Sequence, residues 1–565
     1  MTVMEIASAS DDNAPREVET VRPEQRDHSR LVLIALAIIA LVQFHSALTR
    51  TINWDEFYFY GQIVDFTQGD TLRTLQTLHV QIFQWIPSVV SSGVDGIIIG
   101  RVVMWLCALI TAGCVAVISG AFARRDYALT AALIWLAAGF TMQHGWSFRT
   151  DPLSAAMIAG SLAVLARERL SMGWILVAGA LIGLAGMVTL KAALFAPAFA
   201  GLAWLRWSKG QFTIATAIRI AAVPVVAAFV FATTYAWHAA ILDGGETAQA
   251  ASYAGNVGGS MLFAGWPIYL HFAVKAAILS VAALAAIAVT LAVLVKRPRD
   301  EAIALAGLIA PLAALLIYRN TLPYFYPMML APVIAASVVG VAAIADRYGL
   351  RALIAYAALS GVVVWAVDGP SRIDQQRDIQ IAADEIFGTP VGYFDFPDLL
   401  PAHRKANGFL TRWGIEGTYA GGGGYFRSVL EEETVPLLLT AEPEQNPTLL
   451  AVMQELPQAV RFRAEERDVL RATYRPFWGP FWLAGRDIAP GDAIPYEVMV
   501  PGPYTVTGEA IAIDGELFEA GDVTELERGI INLTNPGEGQ AGIIWGDGLK
   551  PPQRDAPERP YWRGF

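Results

Sequence analysis

Two adjacent carboxylates, Asp55 and Glu56, follow the first apolar stretch of the chain, and a third, Asp151, lies two residues after Arg149. Single cations, Lys191 and Arg319, stand between later apolar stretches, with Arg101 and Lys275 nearer helix ends. A charge at the edge of a hydrocarbon slab is costly unless it is solvated or used. A carboxylate and a few cations gathered on one side of such a slab suit attack on a sugar attached to a phosphate. The carboxylate takes the acceptor's proton as the new bond forms. The cations stabilise the departing phosphate, whose charge grows in the transition state.

Each of these residues also has a structural reading. Asn53-x-x-Glu56 fits a capping box, with Glu56 at N3 and Asp55 at N2, where the helix dipole favours an acid. Adjacent helical residues point about 100° apart, so the two carboxylates do not address one atom, and the base is placed on Asp55. Asp151 reads equally as the cap of a helix with Pro152 at N1, paired with Arg149. Lys191 and Arg319 fit cations that snorkel to lipid head groups. His144 and His238 lack metal-ligand spacing and read as interfacial residues, and nothing resembles a zinc motif.

The elements that position these residues are apolar blocks. Of the 565 residues 55% are hydrophobic and 16% charged, well below the roughly 25% charged of an ordinary soluble domain. The apolar residues cluster in runs near the roughly 20 residues that a helix needs to cross a bilayer. Spans are predicted over 31–48, 98–121, 127–143, 153–166, 174–190, 192–205, 219–240, 267–295, 302–318, 326–345 and 351–368, a polytopic α-helical membrane protein with about eleven transmembrane helices. The stretches 153–166 and 192–205 are short enough to be tilted or re-entrant.

Alternate loops carry the basic residues: Arg26 and Arg30, Arg124 and Arg125, Arg167 and Arg169, Arg206 and Lys209, Lys296 with Arg297 and Arg299, and Arg347 and Arg351. By the positive-inside rule the N-terminus is expected to be cytoplasmic and the C-terminal region periplasmic or extracellular, on a bacterial inner (plasma) membrane. The net charge of −11 argues against a nucleic-acid partner. Cys107 and Cys114, seven apart on one predicted helix, would lie about 10 Å apart, too far for a disulfide.

Residues 1–30 are polar and read as a disordered cytoplasmic tail. Outer loop one, 49–97, holds an aromatic amphipathic run after Glu56 and a second amphipathic stretch with His79. Residues 369–475 mix helical and strand patterns and read as a periplasmic α/β region, with 421–424 as a glycine loop. Residues 476–565 read as β-rich and sandwich-like, with an Asp514-Gly515 hairpin turn. Carbohydrate binding is one reading of that region. The aromatic run 474–482 suits sugar stacking, contact with the membrane, or core packing.

In this order the residues resemble the GT-C superfamily of lipid-phosphate-dependent glycosyltransferases, near the protein O-mannosyltransferases and the aminoarabinose transferase of lipid A. The matching pieces are Asp55-Glu56 after the first span, Gly69-Asp70, the segment with His79, Arg149-x-Asp151-Pro152, Lys191 after a glycine-rich span, and Tyr324-Phe-Tyr326-Pro327. They cover about residues 31–345. The resemblance implies a catalytic domain over 31–368 with Asp55 as the catalytic residue and general base of an inverting hexosyl- or pentosyltransferase. It implies that Glu56 and Asp151 support or position the acceptor, that Arg149, Lys191, Arg319 and His79 hold the donor phosphate, and that Tyr58, Tyr324 and Tyr326 line the substrate. The implied partners are a polyprenyl-phosphate sugar donor and a glycan, lipid or protein acceptor, with no required metal or other cofactor. A lipid or sugar transporter or flippase, and an inactive sugar-binding scaffold, are the competing readings.

Overall fold

The computed structural model describes residues 27–70, 72, 74–167, 170–242, 259, 261–263, 266–267, 269–408, 424–440 and 463–557. Most of the predicted 1–30 tail, the 421–424 loop and the 241–266 loop lie outside them.

Among the described residues seventeen helices account for the apolar part: α1 (Ser29–Thr49), α2 (Trp54–Gln68), α3 (Leu78–Phe83), α4 (Gly93–Ser119), α5 (Arg125–Leu136), α6 (Gly139–His144), α7 (Thr150–Ala166), α8 (Met172–Val188), α9 (Ala196–Lys209), α10 (Ile214–Ile241), α11 (Leu270–Leu279), α12 (Val281–Val293), α13 (Arg299–Ile309), α14 (Ala314–Ile317), α15 (Phe325–Ala336), α16 (Val338–Tyr348) and α17 (Leu350–Ala366). Among the described residues, Ser29–Thr49, Gly93–Ser119, Ile214–Ile241 and the run Arg299–Ile317 are each long and apolar enough to cross a membrane. Two bent pairs are long and apolar enough when taken together: Leu270–Leu279 with Val281–Lys296, at 102°, and Phe325–Ala336 with Val338–Tyr348, at 63°. Three shorter apolar helices, α7, α8 and α17, complete the set. The chain is a membrane protein.

Several predicted spans are broken, and the breaks have partners. The 127–143 stretch divides at Ala138, which is extended, into α5 and α6. The 267–295 stretch divides at Ser280, whose hydroxyl accepts from Gly139 N–H at 2.8 Å. One helix break thus caps the start of another helix, satisfying an amide that would otherwise be orphaned in an apolar interior. The 192–205 stretch is a 3₁₀ turn over Leu190–Phe195 leading into α9. The short α7 is buried along most of its length and α15 along all of it, so both lie in the centre of the bundle.

Loop one is shorter than predicted. α4 starts at Gly93, capped by Ser92, so the loop ends at about 92 and not at 97. Gly96 and Gly100 let the loop lie against α4: a Cβ at Gly96 would meet the Tyr60 ring at 2.4 Å, and one at Gly100 the Phe148 ring at 2.3 Å. Ile52, Phe57 and Ile63 share one core with Ile97 of α4 and with Ile379, Phe394 and Leu438 further along the chain. Loop one is therefore the joint between the helical bundle and the C-terminal region.

That region begins with α18 (Ile373–Phe387), followed by parallel strands β1 (Gly392–Phe394), β2 (Arg404–Lys405) and β3 (Leu437–Leu439), with α19 (Tyr425–Glu432) and α20 (Ala464–Thr473). Nine further strands follow: β4 (Tyr474–Trp478), β5 (Phe481–Ile488), β6 (Ala493–Val498), β7 (Gly502–Gly508), β8 (Ile511–Ile513), β9 (Glu516–Phe518), β10 (Val523–Leu526), β11 (Gly529–Thr534) and β12 (Ala541–Trp545). One sheet runs β10-β7-β12-β5-β3-β1-β2 with β4 also on β5; the second runs β6-β11-β8-β9. β5 pairs with β3, so a single sheet crosses residue 475. Asp514 and Gly515, at φ 48° and 90°, turn β8 into β9 with Ile513 opposite Glu516, the left-handed pair that an Asp-Gly hairpin turn requires. Ile488, Val506 and Ile543 of the first sheet and Tyr496, Ile511 and Leu533 of the second form one core. Within the 474–482 run, Tyr474, Trp478, Phe481 and Trp482 are buried, so core packing is what this run does.

Candidate active site

The site grows from the start of α2. Asn53 Oδ1 accepts from Asp55 N–H at 3.1 Å, and Asn53 N–H donates to Glu56 Oε2 at 3.0 Å, completing a capping box. Two main-chain anchors hold this turn from the C-terminal region. Gln376 of α18 bonds both the N–H and the carbonyl of Ile52, at 3.0 and 2.9 Å, and Arg372 N–H donates to Thr51 Oγ1 at 3.0 Å.

The two adjacent carboxylates then part company. Glu56 is bound by Arg101, Nε to Oε1 at 2.7 Å and Nη2 to Oε2 at 2.6 Å, and Phe148 N–H donates to Oε1 at 2.8 Å. Arg101 also donates to the carbonyls of Ala47, Arg50 and Thr51 and lies over the Trp146 ring at 5.1 Å. Burial works against the Glu56 charge, but Arg101 and the two amides outweigh it and hold the carboxyl below its ordinary value. Glu56 is thus a clamp that fixes α2 to α4 and to the 145–149 loop, and not a group open to an acceptor.

Asp55 points the other way, into a chain of charges. Its Oδ2 meets Arg149 Nη1; Arg149 Nε reaches Asp151 Oδ2 at 3.4 Å; Lys191 Nζ meets Asp151 Oδ1 at 2.5 Å. Tyr324 is the floor under both cations, with its ring centroid 3.4 Å from the Arg149 guanidinium carbon and 5.1 Å from Lys191 Nζ. Asn320 donates to the Tyr324 hydroxyl at 3.1 Å. The local reasons for these placements are clear in the backbone. Arg149 is the extended N-cap of α7. Thr189 is extended where α8 ends, and its hydroxyl accepts from Lys191 N–H at 3.4 Å. Asp151 is at N2 of α7, two positions inside the predicted cap, with Pro152 at N3; an acid there still faces the positive end of the helix.

The oxygens decide which carboxylate is available. Both oxygens of Glu56 are engaged, and both of Asp151 face a cation. Asp55 Oδ2 faces Arg149, whereas Oδ1 accepts no hydrogen bond among the described residues, and its side chain is 10% exposed against 2% for the other two. Burial raises the Asp55 carboxyl above its ordinary value, with Arg149 and Lys191 pulling it down and Asp151 pushing it up. Two neighbouring carboxyls shifted in opposite directions is the pattern expected of one structural acid and one proton acceptor.

Four of the predicted site residues make other contacts. His79, on α3, is buried edge-on against Phe59 at 5.2 Å, and Phe59 in turn lies 5.5 Å under Arg149, so His79 backs the site through an aromatic ring. Tyr58 is half-buried and accepts from Gln62 at 2.9 Å, on the same side of α2 as Asp55 three residues earlier. Tyr326 is buried on Phe140 at 5.0 Å, turned into the bundle because it starts α15. Arg319 lies in the turn beside Asn320, its N–H tied to Met261 O at 2.8 Å. His144 and His238 are buried inside the protein; His238 Nε2 lies 2.9 Å from Thr77 Oγ1 and so pins loop one to α10. Arg101 is the residue whose role sequence reasoning missed: in sequence it was simply a cation near a helix end.

No protein-family model matches the chain, and no curated protein sequence does. Solved structures do. ArnT from Cupriavidus metallidurans bound to undecaprenyl phosphate superposes with a TM-score of 0.54 at 15% identity, over 73% of this chain and 94% of that one. The same protein in the apo state gives 0.52 at 15% identity, over 73% and 93%. The archaeal oligosaccharyltransferase AglB from Archaeoglobus fulgidus, in complex with an inhibitory peptide and a dolichol-phosphate, gives 0.50 at 11% identity, over 90% and 94%. At such identities the likeness is one of fold: the chain shares the fold of ArnT and of the archaeal oligosaccharyltransferase.

Proposed function

We propose that the protein is an inverting glycosyltransferase that moves a sugar from a polyprenyl-phosphate donor to an acceptor on the outer face of the membrane. The observation that carries this reading is the free oxygen of Asp55 beside two cations on a tyrosine floor. In the proposed step an acceptor hydroxyl or amide attacks the anomeric carbon, and its proton passes to Asp55 Oδ1. The bond from that carbon to the phosphate oxygen breaks with both electrons going to the phosphate, and Arg149 and Lys191 take up the growing charge. In this reading Asp151 holds both cations in place, and Glu56 with Arg101 fixes the direction of α2. One structural neighbour is bound to undecaprenyl phosphate and the other is in complex with a dolichol-phosphate, which supports the donor class.

The distribution of basic residues supports an N-terminus in the cytoplasm and a C-terminal region outside a bacterial inner membrane. The catalytic part is then 31–368, and 369–557 anchors its first loop. The sugar is a hexose or a pentose, and the acceptor a glycan, lipid or protein.

The two bent helix pairs favour a second reading, since transporters build their sites from broken helices. One assay separates the two. The purified protein is placed in sealed vesicles with a polyprenyl-phosphate hexose and the lipid and peptide fractions of a cell envelope. Release of polyprenyl phosphate with a new glycosidic bond of inverted configuration supports transfer. Movement of intact donor across the bilayer without chemical change supports transport and overturns the proposal.

A further inference from the structure

At the end of the bundle away from Asp55 lies a cavity of about 1160 Å³ between α4, α5, α7, α8, α9 and α10. It begins near Ala116 on α4, about 25 Å along that helix from Gly100 at the site end. Arg125, Arg167, Arg206, Lys209 and Arg219 line it, and among the described residues no carboxylate does. The rest of the wall is mostly apolar, with the hydroxyls of Ser171 and Thr216, and it includes Met172 and Val117, which are 69% and 48% exposed.

A positive-inside bias alone accounts for cations at this end, but not for their gathering in one concavity. Two cations at the same end outside the cavity are paired, Arg124 with Asp126 at 2.8 Å and Arg297 with Glu301 at 2.7 Å. Arg167 and Lys209 sit at helix C-termini, where a cation is favoured; Arg125 is the first residue of α5, where the dipole favours an anion. Arg206 is only 8% exposed, a poor place for a guanidinium that merely marks topology. The volume exceeds that of a phosphate and matches a ligand with an apolar body.

We propose that this cavity binds the phosphate head group of an anionic lipid, with the five cations around the phosphate and the acyl or prenyl chain leaving past Met172 and Val117. The shared chemistry is a lipid-borne phosphate, supplied by a bilayer phospholipid or by a polyprenyl-phosphate carrier. Basic pockets between transmembrane helices at the cytoplasmic end are suited to such head groups.

The test is native mass spectrometry of the full chain in detergent, loaded with phosphatidylglycerol, phosphatidylcholine or undecaprenyl phosphate. The variants are Lys209→Gln/Arg219→Gln and, as a control, Arg299→Gln/Arg351→Gln, which removes two cations at the same end but outside the cavity. The wild type and the control should retain phosphatidylglycerol at least tenfold better than phosphatidylcholine, and the cavity variant should lose most of that preference. Undecaprenyl phosphate displacing phosphatidylglycerol from the wild type only would assign the carrier as occupant; phosphatidylglycerol resisting displacement would assign the bilayer lipid. Equal retention by the wild type and the cavity variant, or no preference over phosphatidylcholine, overturns the proposal, as does full displacement by millimolar inorganic phosphate.

Discussion

Glu56 and Arg101 are joined by two parallel hydrogen bonds, at 2.7 and 2.6 Å, with neither side chain more than 2% exposed. This pair separates two carboxylates that are neighbours in sequence: it takes Glu56 out of the chemistry and holds the turn that presents Asp55. Removing one partner leaves a buried charge unpaired, which typically costs about 3–5 kcal/mol. Glu56→Gln and Arg101→Met should each lower the thermal midpoint by several degrees, and the double variant should be more stable than the sum of the two losses implies. Thermal unfolding in detergent followed by intrinsic fluorescence reads this; additive losses would show that the pair is not a unit.

Lys191 and Arg149 share Tyr324 as a floor but differ in their bonds. Lys191 touches only Asp151 among the site carboxylates, so Lys191→Ala should leave Asp55 in place and weaken the hold on the phosphate. A loss of about 10²-fold in kcat/KM for the donor is expected, the size typical of one charge-stabilising donor. Titration of donor against a fixed acceptor measures it. An unchanged donor kcat/KM would place Lys191 outside the phosphate site.

The pH dependence follows from the environment of Asp55. Its carboxyl must be ionised to accept a proton, and burial places its pKa above the ordinary value. Activity should therefore rise with pH through an acid limb displaced above that of a free carboxylate. The Asp151 charge is one of the groups pushing Asp55 up, so Asp151→Asn should move the limb to lower pH even as it lowers the rate. A limb unmoved in Asp151→Asn assigns the ionisation to another group.

At the far end of α2 a second carboxylate group has a different consequence. Asp65 is pushed up to about 7 by burial and by the nearby Asp398 and Asp70, against the pull of Lys405. A Cβ at Gly61 would meet Asp398 Oδ2 at 1.7 Å, so the C-terminal region lies directly on α2 there. A raised folded-state pKa favours folding below the unfolded carboxylate pKa, and that contribution is lost as pH rises through about 7. Asp65→Asn should then stabilise the protein at pH 8 by on the order of 1 kcal/mol, with the gain shrinking towards pH 5. Thermal midpoints of the two proteins at both pH values test this; a gain independent of pH would exclude titration as its cause.

How far the sequence made this legible depends on the range of the signal. Asp55, Arg149, Asp151 and Lys191 were visible because each is a charge at the border of an apolar run, and such charges are few. The capping box was visible because its partners are three residues apart. Arg101 was not, because its partner lies 45 residues away and its value comes from burial. Tyr326 is drawn to the site by the resemblance together with Tyr324, but on a helix a shift of two residues turns the side chain to another face, here onto Phe140. The breaks at Ala138 and Ser280 were hidden inside apolar runs, because the hydroxyl that makes one of them tolerable comes from a different helix. The β8–β9 turn was legible from two residues, since Asp-Gly carries its own backbone geometry.

The most direct test of the account is the transfer rate of Asp55→Asn, purified and shown to unfold at the same temperature as the wild type. Asparagine keeps the shape of the side chain and removes the base, so a loss of about 10²–10⁴-fold in kcat is predicted, with donor binding retained. Transfer at the wild-type rate by the folded variant would contradict the assignment of Asp55 as the base.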